Sequence, residues 1–326
     1  MMGRAMRLRP AGMLFLAELA LIVSPADTSA WPDRTVRVIT PNPPGTTLDI
    51  VTRLFADRLA ARWTRAVVVE NIPGADGTLA AREFVAKRDN HTLLYSFPGL
   101  ITINPLTYAN LPYDPSRDLV PIASTSDNYV AIAASGNLKI KSVAELTWLA
   151  RMRTGRLTWA ATPGIPYFAL LGMQQSIGIS MTQVPYRDFN QALVDLGEGR
   201  IDAVATGATP LLSYLETGKV TLLAVVNRQR ASFAAEIPTM AESGFADLTF
   251  DAVTGFFGWF DMPTDLRERI AFDIQTTAAE PATQERLLKV GAVPRGSTPA
   301  EFAAVIEEQR AKIAHIVRTI GLRPTQ

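Results

Sequence analysis

The chain has 326 residues, of which 48% are apolar and 19% charged, and its formal net charge is +1. This is a globular composition rather than a disordered one, and the near-neutral balance excludes the basic footprint of a nucleic-acid-binding protein. Cysteine is absent and the only histidines are His91 and His315, which excludes disulfides, thiolate nucleophiles and thiolate metal sites and leaves little from which to build a His-centred triad or a metal centre. At about 150 residues per domain, the length predicts two domains, each large enough to bury its own core.

Residues 1–30 have the organisation of a signal peptide. Arg4, Arg7 and Arg9 form a basic start, and an apolar stretch runs from Ala11 to Val23, interrupted by Glu18. Pro25 ends it, and Thr28-Ser29-Ala30 supplies small residues before a cut ahead of Trp31. The alternatives are a short helix packed on the protein and a monotopic anchor. Removal of this segment deletes three Arg, Glu18 and Asp27, leaving a mature chain of roughly zero formal charge. No later stretch has the length and apolarity of a bilayer span. The mature protein is therefore expected to be periplasmic, soluble and monomeric.

Beyond Trp31, short apolar runs alternate with helical periodicity. Val36–Thr40 reads as a strand; Leu48–Arg62 reads as a helix, with Val51, Leu54, Phe55 and Leu59 on one face. A strand at Ala66–Glu70, the Pro73-Gly74-Ala75-Asp76-Gly77 turn, a helix at Thr78–Lys87 and a strand at Thr92–Ser96 follow. This β-α-β-α-β run predicts a parallel sheet. The pattern restarts with strands at Tyr129–Ala134, Thr158–Ala161, Thr182–Pro185, Ile201–Ala205 and Thr221–Val225. Helices lie among them, the first opened by the capping box Ser142-x-x-Glu145. The others are expected at Tyr167–Ser176, Gln191–Leu196 and Pro210–Thr217. The C-terminal part reads as helical over Asp265–Ala279, Ala282–Lys289 and Pro299–Ile320, the last with Thr298 as N-cap and Pro299 at its first position.

Four loops share one design, a strand end, small or polar residues and a helix start. They are Pro41 to Thr47, Thr162 to Pro166, Arg187 to Asn190, and Thr206 to Thr209. In open α/β sheets ligands bind beyond the carboxyl ends of the strands, where helix N-termini present free N–H groups and favour an anion. Micromolar affinity requires about 8 kcal/mol. Three or four charge-assisted hydrogen bonds at roughly 1.5–3 kcal/mol each, with some apolar burial, suffice without a buried arginine. Taken singly, each loop is also an ordinary βα turn. Asp49, at a helix start, either complements the helix dipole or grips a ligand amine or hydroxyl. The G-x-S-x-G, H-E-x-x-H, phosphate-loop and dinucleotide fingerprints are all absent.

From Trp31 onward the sequence resembles the Bug-type solute receptors of tripartite tricarboxylate transporters. The landmarks occur in order: Trp31-Pro32-Asp33-Arg34-Thr35-Val36, Pro43-Pro44-Gly45 with Asp49, and Val69-Glu70-Asn71-Ile72-Pro73-Gly74-Ala75-Asp76-Gly77-Thr78. Ile103-Asn104-Pro105, Leu111-Pro112-Tyr113-Asp114-Pro115, Lys141 to Leu146, Val184-Pro185-Tyr186-Arg187, Pro238 to Gly244 and Gly296 to Phe302 complete the series. The resemblance implies a type II periplasmic-binding-protein fold, two α/β lobes with a ligand cleft between them. Lobe 1 would comprise 31–126 plus 246–326, and lobe 2 would comprise 127–245. It implies a receptor, not an enzyme, that takes no cofactor or metal and closes on a small carboxylate for the integral membrane subunits of such a transporter. An α/β enzyme acting on a carboxylate and a ligand-sensing partner of a signalling system are the other readings.

Carried onto matching positions, the expected ligand-binding set is Pro43, Gly45, Thr46, Thr47, Asp49, Phe97, Thr162, Gly164, Tyr167, Phe168, Arg187, Asp188, Phe189, Thr206 and Gly207. Several of these depart from the family pattern. Thr46 and Thr47 stand where glycines are usual, and Asn42 where an aromatic is. Tyr167 and Phe168 replace a hydroxyl residue and a histidine, Asp188 and Phe189 replace glycines, and Val253 replaces a tryptophan. The added bulk predicts a bulkier or partly apolar carboxylate, an aromatic one held between rings such as Phe168 and Phe189, the alternative being that both rings fill lobe 2 core space.

Overall fold

The apolar runs become strands of two separate sheets. The computed structural model describes residues 31–321, apart from 88, 187 and 232–233, together with residue 324. The expected signal peptide lies outside the described residues. In chain order the strands are β1 (Val36–Thr40), β2 (Val67–Asn71), β3 (Thr92–Ser96), β4 (Val120–Asn128), β5 (Val130–Ser135), β6 (Thr158–Ala161), β7 (Thr182–Gln183), β8 (Ala203–Gly207), β9 (Val220–Val225), β10 (Val253–Gly258) and β11 (Ala292–Pro294). The first sheet has the order β11-β4-β10-β3-β1-β2 and the second β7-β6-β8-β5-β9.

The helices are α1 (Thr47–Trp63), α2 (Thr78–Lys87), α3 (Gly99–Thr102), α4 (Asn104–Thr107), α5 (Val143–Met152), α6 (Ile165–Ser176), α7 (Phe189–Gly197), α8 (Leu212–Glu216), α9 (Thr264–Ala279), α10 (Pro281–Lys289) and α11 (Pro299–Ile320). Thr298 caps α11 in a full capping box with Glu301, and Ser142 caps α5 by accepting from the Glu145 N–H.

The expected parallel run holds, since β1 pairs in parallel with both β2 and β3. Each sheet is mixed as a whole: β10 runs antiparallel to β3 and β4, and β5 runs antiparallel to β8 and β9. The three expected C-terminal helices form as α9, α10 and α11, but two strands were not expected: β10, before α9, and β11, between α10 and α11, both return to the first sheet beside β4. These strands are masked in the sequence by polar and flexible residues. β4 carries Ser124, Thr125 and Ser126, all buried. Their hydroxyls are satisfied internally: the Tyr95 hydroxyl bonds Thr125 and Thr254 at 2.9 Å each, and Ser126 bonds Thr254 at 3.0 Å. Gly255 in β10 is needed because a Cβ there would lie 2.4 Å from the Ala123 carbonyl oxygen.

One core, around Phe55, Tyr95 and Phe256, lies between the first sheet and helices α1 and α9. A second, around Trp159, Phe168 and Met173, lies on the other sheet. Helix α11 spans both lobes: Phe302 and Ile306 pack in lobe 1, whereas Ile313, Ile316 and Val317 join the core that contains Trp159. Gly172 on α6 permits this close approach, since a Cβ there would meet Leu248 at 2.7 Å and Ile316 at 3.3 Å.

The chain crosses between the sheets at 128–130 and again at 226–252, and the crossings are bonded to each other. The Val226 N–H donates to the Val130 carbonyl (2.9 Å), and the Asn128 N–H donates to that of Ala252 (3.1 Å). An ionic chain runs along this junction. Arg295 bonds Asp127 at 3.0 Å and Asp251 at 3.2 Å, Arg228 bonds Asp251 at 3.2 Å, and Arg228 also pairs with Glu308. Burial, with Asp251 nearby, pushes the Asp127 carboxyl up to about 6.

Candidate functional site: the cleft between the lobes

Two adjoining cavities open between the lobes at the carboxyl ends of β1, β3, β6 and β8. The first, about 340 Å³, is bounded by the starts of α1 (Thr47, Leu48), α3 (Pro98, Gly99) and α6 (Gly164, Ile165), with Gly207 and Thr209 after β8. The second, about 510 Å³, extends toward Asp76 and Tyr108 on one side and Tyr167, Tyr186 and Phe189 on the other. Phe97, Gly99, Ile103, Pro163 and Gly164 border both. No Lys, Arg or His occurs among the described residues lining either cavity.

The first loop is built to expose a helix start. Gly45 adopts φ 81°, with open space where a Cβ would lie. Thr46 has φ −72° and ψ 158°, so its β-branched side chain carries no left-handed strain, and its hydroxyl caps α1 by accepting from the Asp49 N–H at 3.4 Å. The N–H groups of Thr47 and Leu48 then fall in the first turn, where a helix offers no internal acceptor.

Asp49 turns inward rather than toward the cleft. Its carboxylate accepts from the Gly45 N–H (2.8 Å), Asn71 Nδ2 (2.7 Å) and Arg53 Nε (3.1 Å), and the residue is 3% exposed. Burial pushes its pKa up, but the bonds from Asn71, Gly45 and Arg53 outweigh it and hold the carboxyl below the usual range. Of its two expected roles, the structure supports the local one: Asp49 ties the first loop to β2, since Asn71 also donates to the Asn42 carbonyl at 2.8 Å.

On lobe 2, Gly164 opens α6 with φ 93° and ψ −142° and no side-chain cap, leaving first-turn N–H groups free. Thr162 and Thr206 meet hydroxyl to hydroxyl at 3.4 Å, and the Thr162 N–H bonds the Ala205 carbonyl. Asp188 caps α7 by accepting from the Asn190 N–H at 3.0 Å. Tyr186 donates to Asp195 at 2.7 Å; burial and this carboxylate push its phenol up to about 12.

Of the sequence-expected residues, Thr47, Phe97, Gly164, Tyr167, Phe168, Phe189 and Gly207 border the cavities. Pro43, Gly45, Thr46, Asp49, Thr162, Asp188 and Thr206 do not; they shape and brace the loops instead. Arg187 lies outside the described residues. The pairing of Phe168 with Phe189 as facing rings needs correction. Phe168 is 2% exposed and packs edge-on to Tyr167 (5.3 Å between centroids) in the lobe 2 core, so it floors the cavity rather than clamping a ligand.

Sequence reasoning missed three contributors. The α3–α4 segment supplies Ile103, Asn104 and Tyr108, and its helices are too short to show a period. The crossing segments supply Asn128 and Tyr129. Helix α11 supplies Gln309, which is 4% exposed with no hydrogen-bond partner for its Oε1. A buried Gln on an apolar helix face was the one legible signal.

A larger groove of about 890 Å³ lies on lobe 1 beside Trp259 and Phe260, near the starts of β1, β3 and β4. Its cations are already engaged, Arg34 with Asp89 and Arg117 with Asp118. Among the described residues, no group of three His, Asp or Glu could hold a metal ion, and no helix is long and apolar enough to cross a membrane.

The family model for the tripartite tricarboxylate transporter family receptor, TctC, matches residues 51–322. The chain belongs to that receptor family. Curated relatives of this receptor extend over nearly its whole length. A UPF0065 protein of Bordetella bronchiseptica is 28% identical over 312 residues, covering 94% of this chain and 91% of that protein. Protein BugT of Bordetella pertussis is 27% identical over 317 residues, covering 95% and 96%. Among solved structures, an R. palustris protein with adipate matches with a TM-score of 0.78 and 26% identity, over 90% of this chain and 100% of that one. MatC from Rhodopseudomonas palustris with bound malate gives 0.73 and 25%, over 88% and 99%. The receptor thus has the two-lobed periplasmic-binding-protein fold, with the cleft between its lobes.

Proposed function

We propose that this protein is an exported solute receptor that binds a small carboxylate between its lobes, closes on it and delivers it to the integral membrane subunits of a tripartite tricarboxylate-type transporter. The observation that carries this reading is the convergence of helix starts from both lobes on one cavity. The N-termini of α1 and α6, 17 and 12 residues long, and the turn after Gly207 border about 340 Å³ that has no cationic side chain among its described lining residues. Such a cavity neutralises an anion with backbone N–H groups and helix dipoles. Likeness to one protein solved with adipate and another with bound malate supports the carboxylate.

In this reading the protein acts by stoichiometric binding rather than turnover. Residues 31–126 with β10 and the chain on into α11 move as one lobe against 127–245, hinging at the bonded crossings, while the C-terminal turns of α11 stay packed on the second lobe through Ile313, Ile316 and Val317. Residues 1–30 direct export to the periplasm, and the mature chain works as a soluble monomer. Cavity volume and added aromatic side chains favour a carboxylate bulkier than a C4 diacid.

A thermal-shift screen of the chain from Trp31 against mono-, di- and aromatic carboxylates tests it. Ligand present at a hundredfold excess over Kd stabilises the fold by about 2.7 kcal/mol, a readily measured rise in Tm. A flat response to every carboxylate, or conversion of one of them by the protein, refutes the reading.

A further inference from the structure

We infer that the larger cavity is a tail compartment that takes an aromatic or otherwise apolar group and rejects a second negative charge, so that the ligand is an aryl-tailed monocarboxylate rather than a dicarboxylate. This rests on the carboxylate-receptor reading above, with the carboxylate head at the helix starts of the smaller cavity. The two spaces share Phe97, Pro163 and Gly164 in their walls, and the inference places one ligand across both.

Three features of the larger cavity point the same way. Its volume, about 510 Å³, falls in the range of small-molecule sites, and its walls include Phe97, Tyr108, Tyr167, Tyr186 and Phe189. Two of the tyrosines have already used their one O–H donor: Tyr108 donates to Asp76 at 2.9 Å and Tyr186 to Asp195 at 2.7 Å. They therefore offer a second carboxylate no donor, only ring surface, and ring surface is matched by an aromatic or aliphatic group. The acidic group lining this cavity is Asp76, and among the described residues it is in no ion pair. A second carboxylate reaching this space would meet the Asp76 charge, with no cation among the described lining residues to offset it.

The experiment uses a matched pair. Adipate and 5-phenylpentanoate share a carboxylate on a four-carbon chain and differ in the far end, a carboxylate or a phenyl ring. Titration calorimetry of the chain from Trp31 is expected to show 5-phenylpentanoate binding at least about tenfold tighter than adipate. 5-Phenylpentanamide, which lacks the charged head, is expected not to bind.

Two variants locate the effect. Phe189→Ala is expected to weaken 5-phenylpentanoate and leave pentanoate unchanged. Asp76→Asn is expected to improve adipate severalfold at low salt and leave 5-phenylpentanoate unchanged. Asn suits that position because it tolerates the left-handed backbone found there (φ 49°). Adipate binding as tightly as 5-phenylpentanoate, or no gain for adipate in Asp76→Asn, overturns the tail compartment while leaving the carboxylate receptor standing. Absence of binding by every carboxylate removes both.

Discussion

Replacing Asp49 with Ala separates a residue that builds the first loop from one that grips ligand. In the structure its carboxylate holds three donors: the Gly45 N–H, Asn71 Nδ2 and Arg53 Nε. Charge-assisted bonds of this kind contribute about 1.5–3 kcal/mol each, but the loss is smaller than their sum. Gly45 is exposed and the Arg53 side chain is 47% exposed, so both recover water, and Asn71 keeps its bond to the Asn42 carbonyl. A net loss of about 2–3 kcal/mol follows, without the 3–5 kcal/mol penalty of breaking a fully buried pair. At about 2–4 °C per kcal/mol, Tm should fall by roughly 4–12 °C in calorimetry or a circular dichroism melt. Affinity for a carboxylate should drop only to the extent that Thr47 and Leu48 lose their placement, and excess ligand should restore much of the Tm. An Asp49→Ala protein that melts like the parent yet binds more than tenfold more weakly would show that the side chain meets the ligand directly and that this account of the loop is wrong.

The remaining predictions concern the hinge, the core and the cavity. Asp127 has its carboxyl raised to about 6, so its ionised form is disfavoured by folding: the contribution of this group is full below the ordinary carboxyl value of about 3.9 and is lost progressively as pH rises to about 6. The cost at pH 7.5 is at most about 3 kcal/mol, so Asp127→Asn should be more stable than the parent at pH 7.5, with a margin only about half as large at pH 5, by urea denaturation at each pH. A parent whose stability relative to that variant does not change over this range contradicts the burial argument. Phe168→Ala should cost about 3–5 kcal/mol of stability in the same assay, because it empties a core position; an effect on binding alone would return Phe168 to the ligand surface. Thr47→Trp should fill the smaller cavity and abolish carboxylate binding by calorimetry while changing stability by less than about 1 kcal/mol; retained affinity would move the ligand away from the first loop.

What could be read in advance followed from periodicity and capping. Val36–Thr40, Thr92–Ser96 and Thr158–Ala161 are apolar, bounded by turn residues, and form strands with the expected bounds. Helices α2 and α11 likewise begin and end where their periodicity and, in α11, the Thr298 cap placed them. β4 and β10 escaped because their buried hydroxyls and glycines look like loop residues until the partners Tyr95 and Ala123 arrive from elsewhere in the chain. The same limit applies to the cleft. Loop sequences identified which helix starts could converge, but whether a side chain faces the cavity depends on neighbours far away in sequence. Asp49 turns toward Asn71 and Phe168 toward the lobe 2 core, whereas Tyr108 and Gln309 reach the cleft from elements with no loop signature. The glycine losses at 46 and 47 illustrate a further point: a β-branched pair is acceptable there because Gly45 alone takes the left-handed turn.

The central claim is that helix starts from both lobes bind one carboxylate without turning it over. Titration calorimetry of the chain from Trp31 with the strongest carboxylate from the thermal-shift screen, alongside its uncharged amide, tests it most directly. The account predicts one site per chain for the carboxylate, no binding of the amide, and ligand recovered unchanged after prolonged incubation. Equal binding of acid and amide, or consumption of the acid, would contradict it.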